Sequence, residues 1–148
     1  MKKLLGIIVL GLLLSGNAYA FNFKEDIETY SLKNEGVVSS IYVLNRCSGL
    51  LIFVAALTTN EPGKKNVAEK YIDYGVITIH AATIFHSNHH SVDYKNAREI
   101  LLKRRAELIN YYRDDAEKLF LRNGSRISGH ILEDLKQCIT VSEFFKNR

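Results

Sequence analysis

Helical periodicity over most of the chain predicts an all-α protein, an up-down-up-down four-helix bundle behind a cleaved signal peptide. Three observations carry this reading. Apolar residues recur three and four apart in four successive segments, polar and glycine-containing turns separate those segments, and the two cysteines fall in the first and last of them.

The first twenty residues form the leader. Lys2 and Lys3 precede an apolar stretch from Leu4 to Leu14, and Ala18-Tyr19-Ala20 places small residues where a signal peptidase reads them. Cleavage after Ala20 is expected, releasing the mature chain to the periplasm or beyond. Because no cysteine follows the apolar stretch, lipid attachment is not expected, and the stretch is too short for a permanent span. Loss of Lys2 and Lys3 leaves 18 basic against 16 acidic side chains, so the net charge falls from +4 to +2. That near balance, in an exported protein, gives no reason to expect nucleic acid as a partner.

Residues 21–35 are mixed and polar, and read as an extended lead-in. The bundle domain then occupies 36–148. Its first helix runs from Gly36 to Thr59, with Val37, Leu44, Cys47, Leu51 and Val54 along one stripe and Ile41, Ser48 and Ala55 beside it. Asn45 and Arg46 interrupt the apolar residues, which argues for a core helix in a bundle and against a membrane span. Asn60-Glu61-Pro62-Gly63 ends this segment, since proline is tolerated only in a first helical turn.

The second helix extends to about His86, its rows Val67-Tyr71-Tyr74-Thr78-Ala81-Phe85 and Ala68-Ile72-Gly75-Ile79-Ala82 making an apolar arc that touches two neighbours. Val76-Ile77-Thr78-Ile79 has strand propensity, but the surrounding periodicity favours helix. From His86 to Ser91 the pattern breaks. A third helix covers Asp93 to Arg122, with Leu101, Leu108, Tyr112 and Leu119 inward and Asn123-Gly124 as a left-handed cap. The fourth spans Ser125 to Lys146, with Ile127, Ile131, Leu135, Cys138 and Phe145 on one side.

Cys47 lies about 11 residues into the first helix and Cys138 about 8 from the end of the fourth, so antiparallel packing brings them to one level. A disulfide between them is expected in an oxidising compartment; two buried free thiols are the alternative. A closed loop of about 90 residues is worth on the order of 4 kcal/mol in the chain-entropy model.

His86, His89 and His90 are the candidate metal ligands, because imidazole binds transition metals and the first and last of these residues are one helical turn apart. The competing assignment puts His86 on the margin of the core and the other two in solvent. His130 begins the fourth helix at the opposite end and cannot join them. The chain lacks the paired Glu-x-x-His motifs of a carboxylate-bridged di-iron bundle, a Cys-x-x-Cys-His haem attachment and a Gly-x-Ser-x-Gly nucleophile elbow. No enzymatic activity is therefore expected, and no cofactor beyond a metal or haem at the histidine segment.

Lys103-Arg104-Arg105 is the densest basic run, with acids interleaved at helical spacing. Arg104 falls near the row of Leu101, Leu108, Tyr111 and Asp115, which sets out Arg104, Tyr111 and Asp115 as a polar group at the core edge. Structural pairing and contact with a ligand or envelope partner both fit that group. Arg46 carries the same two readings.

Asn45-Arg46-Cys47-Ser48-Gly49-Leu50 is the most distinctive string. It resembles a group of uncharacterised small exported helical proteins of bacteria with an Arg-Cys-small-small-Leu motif, a resemblance that implies export and a helical fold and carries no activity. Cys47-Ser48-Gly49-Leu50 is also similar to a string in periplasmic immunity proteins that inhibit cell-wall-degrading effectors, although Leu50, Leu51 and Ile52 depart from the aromatic and glycine residues expected there. The functional expectation is an exported, non-catalytic binding or interaction protein, whose partner is a small ligand or an envelope protein. The alternatives are a metal- or haem-binding protein and an immunity-type inhibitor of an envelope hydrolase.

Overall fold

The computed structural model describes residues 36–147 together with Ile27. The leader at 1–20 and the rest of the lead-in lie outside the described residues. Within them the chain is all-helical, with α1 at Val37–Thr59, α2 at Lys65–His90, α3 at Tyr94–Asn123 and α4 at Gly129–Lys146. No strand forms among the described residues, so the β-branched stretch at 76–79 lies inside α2.

Helix ends follow local chemistry. The α2 helix continues a turn past the expected break at His86, because the histidine segment holds neither proline nor glycine to stop it. It ends at Ser91, which takes a left-handed conformation and returns its N–H to the Ser87 carbonyl. Asp93 then caps α3 by accepting the Asn96 N–H at 3.0 Å. At the other end of α3, Gly124 adopts φ 77°, which suits a residue without Cβ, and bonds back to Phe120.

The α4 helix starts four residues later than the pattern suggested. Asn123 reaches across the connection to the Ser125 N–H and Ser128 hydroxyl, and these local bonds hold 125–128 out of the helix.

Packing is organised around α1 and α2. They lie along each other, and both α3 and α4 pack on the pair, whereas α3 meets α4 through Tyr112 with Asp134 and Asp115 with His130. Gly49 sets the spacing of α1 against α3, since a Cβ built there would sit 2.8 Å from the Leu108 Cβ. One part of the core surrounds Cys47, Leu50, Leu51, Tyr112, Ile131 and Cys138, and another gathers Ile41, Leu44, Ile79, Ala82 and Leu101.

The Cys47–Cys138 disulfide is present, tying α1 to α4 with a Cα separation of 5.0 Å. By length and hydropathy α1 would suffice to cross a membrane, but its apolar surface is largely covered by the other helices. It also carries a fully buried arginine.

Candidate functional site

Arg46 precedes Cys47 by one position on α1, and Asp134 precedes Cys138 by one turn on α4, so the disulfide sets their side chains face to face. Both are completely buried. Arg46 Nη2 meets Asp134 Oδ2 at 2.5 Å, Nη1 donates to the Tyr42 hydroxyl at 3.1 Å, and Nε donates to the Tyr112 hydroxyl at 2.7 Å. Tyr112 in turn donates to Asp134 Oδ2 at 2.7 Å. The remaining carboxylate oxygen, Oδ1, accepts the Ile27 N–H at 2.8 Å.

Ile27 has helical backbone and a buried side chain, and the rest of the lead-in lies outside the described residues.

Electrostatics explain why this group holds together. Burial by itself lowers the Arg46 pKa, but Tyr112, Asp134 and Tyr42 overcome that and keep the guanidinium charged. Burial also raises the Tyr112 phenol well above its ordinary range, so it remains a donor despite the pull of Arg46. An ion pair so enclosed is structural machinery, because no substrate reaches it without opening the core.

The other residues singled out from the sequence occupy different places. His86, His89 and His90 cluster at the end of α2, with ring centroids 4.4 Å apart for His86 and His90, tilted to each other, and 4.7 Å for His89 and His90, edge to face. His86 is buried, and burial followed by the charges of His90, Arg104 and His89 lowers its pKa to about 4. Among the described residues, no group of three His, Cys, Asp or Glu side chains is placed to hold a metal ion.

Arg104 is half-buried and close enough to depress His86 and His90, but Asp115 lies further along α3, with Oδ2 2.9 Å from His130 Nε2. Tyr111 is half-buried, and burial with the nearby Asp115 charge raises it to about 12. Arg104 thus acts on the histidines, and Tyr111 feels Asp115.

Sequence reading missed Asp134, the polar role of Tyr112, and a second feature on the other side of α1. Ser48 donates to the Gly75 carbonyl of α2 at 2.8 Å, while Arg105 Nη1 of α3 lies 3.5 Å from the Ser48 hydroxyl. Ser48 therefore forms the floor of the α2–α3 seam. Arg105 has no ion pair within 4.0 Å among the described residues; burial and then the charge of Arg98 both lower its pKa. The one signal for the Arg46 pair was register: Asp134 shares a stripe with Cys138, four residues on.

No protein-family model, curated protein or solved structure matches this chain. What the fold itself defines is a class: a disulfide-tied, all-α domain with its buried charges internally paired.

Proposed function

We propose that this is an exported, non-catalytic binding protein of the periplasm or extracellular space, cleaved after Ala20 and folded as an up-down-up-down bundle. The disulfide supports an oxidising destination. Contacts at two levels, Tyr112 with Asp134 and Asp115 with His130, support antiparallel α3 and α4, as that topology requires.

The observation that carries the binding reading is the division of charge. Arg46 and Asp134 neutralise each other inside the fold, whereas Arg105 in the α2–α3 seam is met by no described carboxylate. Such a cation is free to answer to something outside the chain.

Native mass spectrometry of protein expressed with its own leader, compared with its denatured mass, tests this. The expected result is a chain beginning at Phe21, two hydrogens lighter than its reduced form, carrying a mass that leaves on denaturation. A bare chain that also retains no envelope partner in a pull-down overturns the binding reading. Thiols that label without reductant overturn the export reading.

A metal-binding role is a second reading, favoured by the close grouping of the His86, His89 and His90 rings. It requires stoichiometric metal on purification that is lost in the His86→Ala/His90→Ala variant, and unchanged metal content in that variant eliminates it.

A further inference from the structure

Two polar groups where α3 meets α1 are left with unused capacity, and they are of opposite kinds. Arg105 offers donors. Its contact with Ser48 is at the long limit of a hydrogen bond, and no described carboxylate lies within ion-pair distance. Arg98 stands two turns earlier on the same stripe of α3, near enough for the two positive charges to oppose each other. Asn45 offers an acceptor. It is only 2% exposed, and its Oδ1 has no hydrogen-bond partner among the described residues. It lies one turn before Ser48 and Gly49 on α1, the face against which Arg105 packs.

A buried amide oxygen left unpaired costs stability, as does a half-buried guanidinium without an anion. Both deficits lie along the contact of α1 with α3. A group satisfying them together has negatively charged oxygens for the arginines and a hydroxyl to donate to Asn45. Hydrogen phosphate has both, and so does a phosphoglycerol headgroup.

We propose that the seam floored by Asn45 and Ser48 and walled by Arg98 and Arg105 binds a phosphate group that carries, or sits beside, a hydroxyl. This rests on the binding-protein reading and names its ligand chemistry. Free phosphate and an anionic lipid headgroup share that chemistry. Arg105 forms the principal charge-assisted contact, Arg98 the supporting one, and Asn45 selects for the hydroxyl.

The test is titration of the oxidised mature protein with inorganic phosphate, followed by the arginine Nε–H resonances and by thermal unfolding. A parallel arm measures binding to phosphatidylglycerol vesicles against phosphatidylcholine vesicles. Saturable binding is expected in one arm, weakened about tenfold or more by Arg105→Gln and less by Arg98→Gln. Arg105→Lys recovers part of it, and Arg122→Gln, at an exposed position on the same helix, leaves it intact.

Without phosphate, Arg105→Gln melts no lower than the parent, since a charge lacking an anion has been removed. A ligand-binding arginine has that signature; a structural one does not. Phosphate binding identifies a free ligand, and Arg105-dependent binding to anionic vesicles alone identifies the headgroup. Absence of both, or a response to Arg122→Gln equal to that of Arg105→Gln, overturns the proposal. If both arms are negative while native mass spectrometry still shows another bound mass, the phosphate assignment falls and the binding-protein reading stands.

Discussion

Arg46 on α1 and Arg105, which packs against α1 from α3, are treated by the fold in opposite ways. The first is completely buried and meets Asp134, Tyr42 and Tyr112; the second is half-buried and has one long contact to Ser48. The difference follows from solvation. A guanidinium removed entirely from water is tolerated only with a paired anion and filled donors, whereas one at a rim keeps part of its hydration and can stand without a carboxylate. The first region therefore belongs to stability, and the second is where the proposed binding site lies.

Breaking the closed region has the largest expected effect. Asp134→Ala leaves Arg46 buried without its anion and is expected to cost about 3–5 kcal/mol by urea denaturation. The Arg46→Met/Asp134→Leu double variant restores much of that loss, because it removes both charges together. A double variant as unstable as Asp134→Ala would show that the hydroxyl network, and not the ion pair, dominates.

Next comes the covalent tie. Reducing Cys47–Cys138, or replacing both cysteines with serine, is expected to cost about 4 kcal/mol, read as a fall in the denaturation midpoint. Because Arg46 and Asp134 are held in register by that bond, the cost of Asp134→Ala should differ between oxidised and reduced protein, a coupling that a double-mutant cycle measures.

Gly49→Ala probes the close approach shared by both regions. Its new methyl would meet Leu108 at 2.8 Å, so a loss of about 1–3 kcal/mol is expected, with the shift transmitted to the Arg105 carbonyl 3.5 Å away. An unaffected melting temperature would mean that α1 and α3 can separate without penalty.

A smaller effect concerns pH. Burial and neighbouring cations lower His86 from 6.5 to about 4, so between those values the unfolded chain binds the proton that the folded chain refuses. This group's contribution is complete above pH 6.5 and declines as pH falls towards 4. His86→Gln should flatten stability across that interval, and a slope equal to the parent's would remove His86 as its source. Least of all, His130→Gln separates the partly exposed pair with Asp115 and should cost under about 1 kcal/mol.

The four segments and the disulfide pairing were legible because each leaves a linear mark: apolar spacing, turn residues, and cysteines at matching depth. Helix ends were read less accurately. The histidine segment looked like a break through its polarity, but helices end for lack of continuing hydrogen bonds, and nothing at 86–90 withdraws a backbone donor.

The candidate sites leave no such linear mark. Arg104, Tyr111 and Asp115 share a helical row, yet Asp115 meets His130 from another helix while Arg104 lies towards His86. Spacing along one helix says which side chains are neighbours on it and nothing about which helix supplies a partner.

The sequence alone determined the helical class, the order of the segments and the cysteines that join the first to the last, because periodicity and chain polarity are properties of a single strand of residues. Only the tertiary structure decided that Arg46 is sealed against Asp134 while Arg105 faces no described carboxylate. Whether a charge is neutralised depends on groups brought together from distant positions, Asp134 lying 88 residues from Arg46, and on how much water the packed helices leave around them.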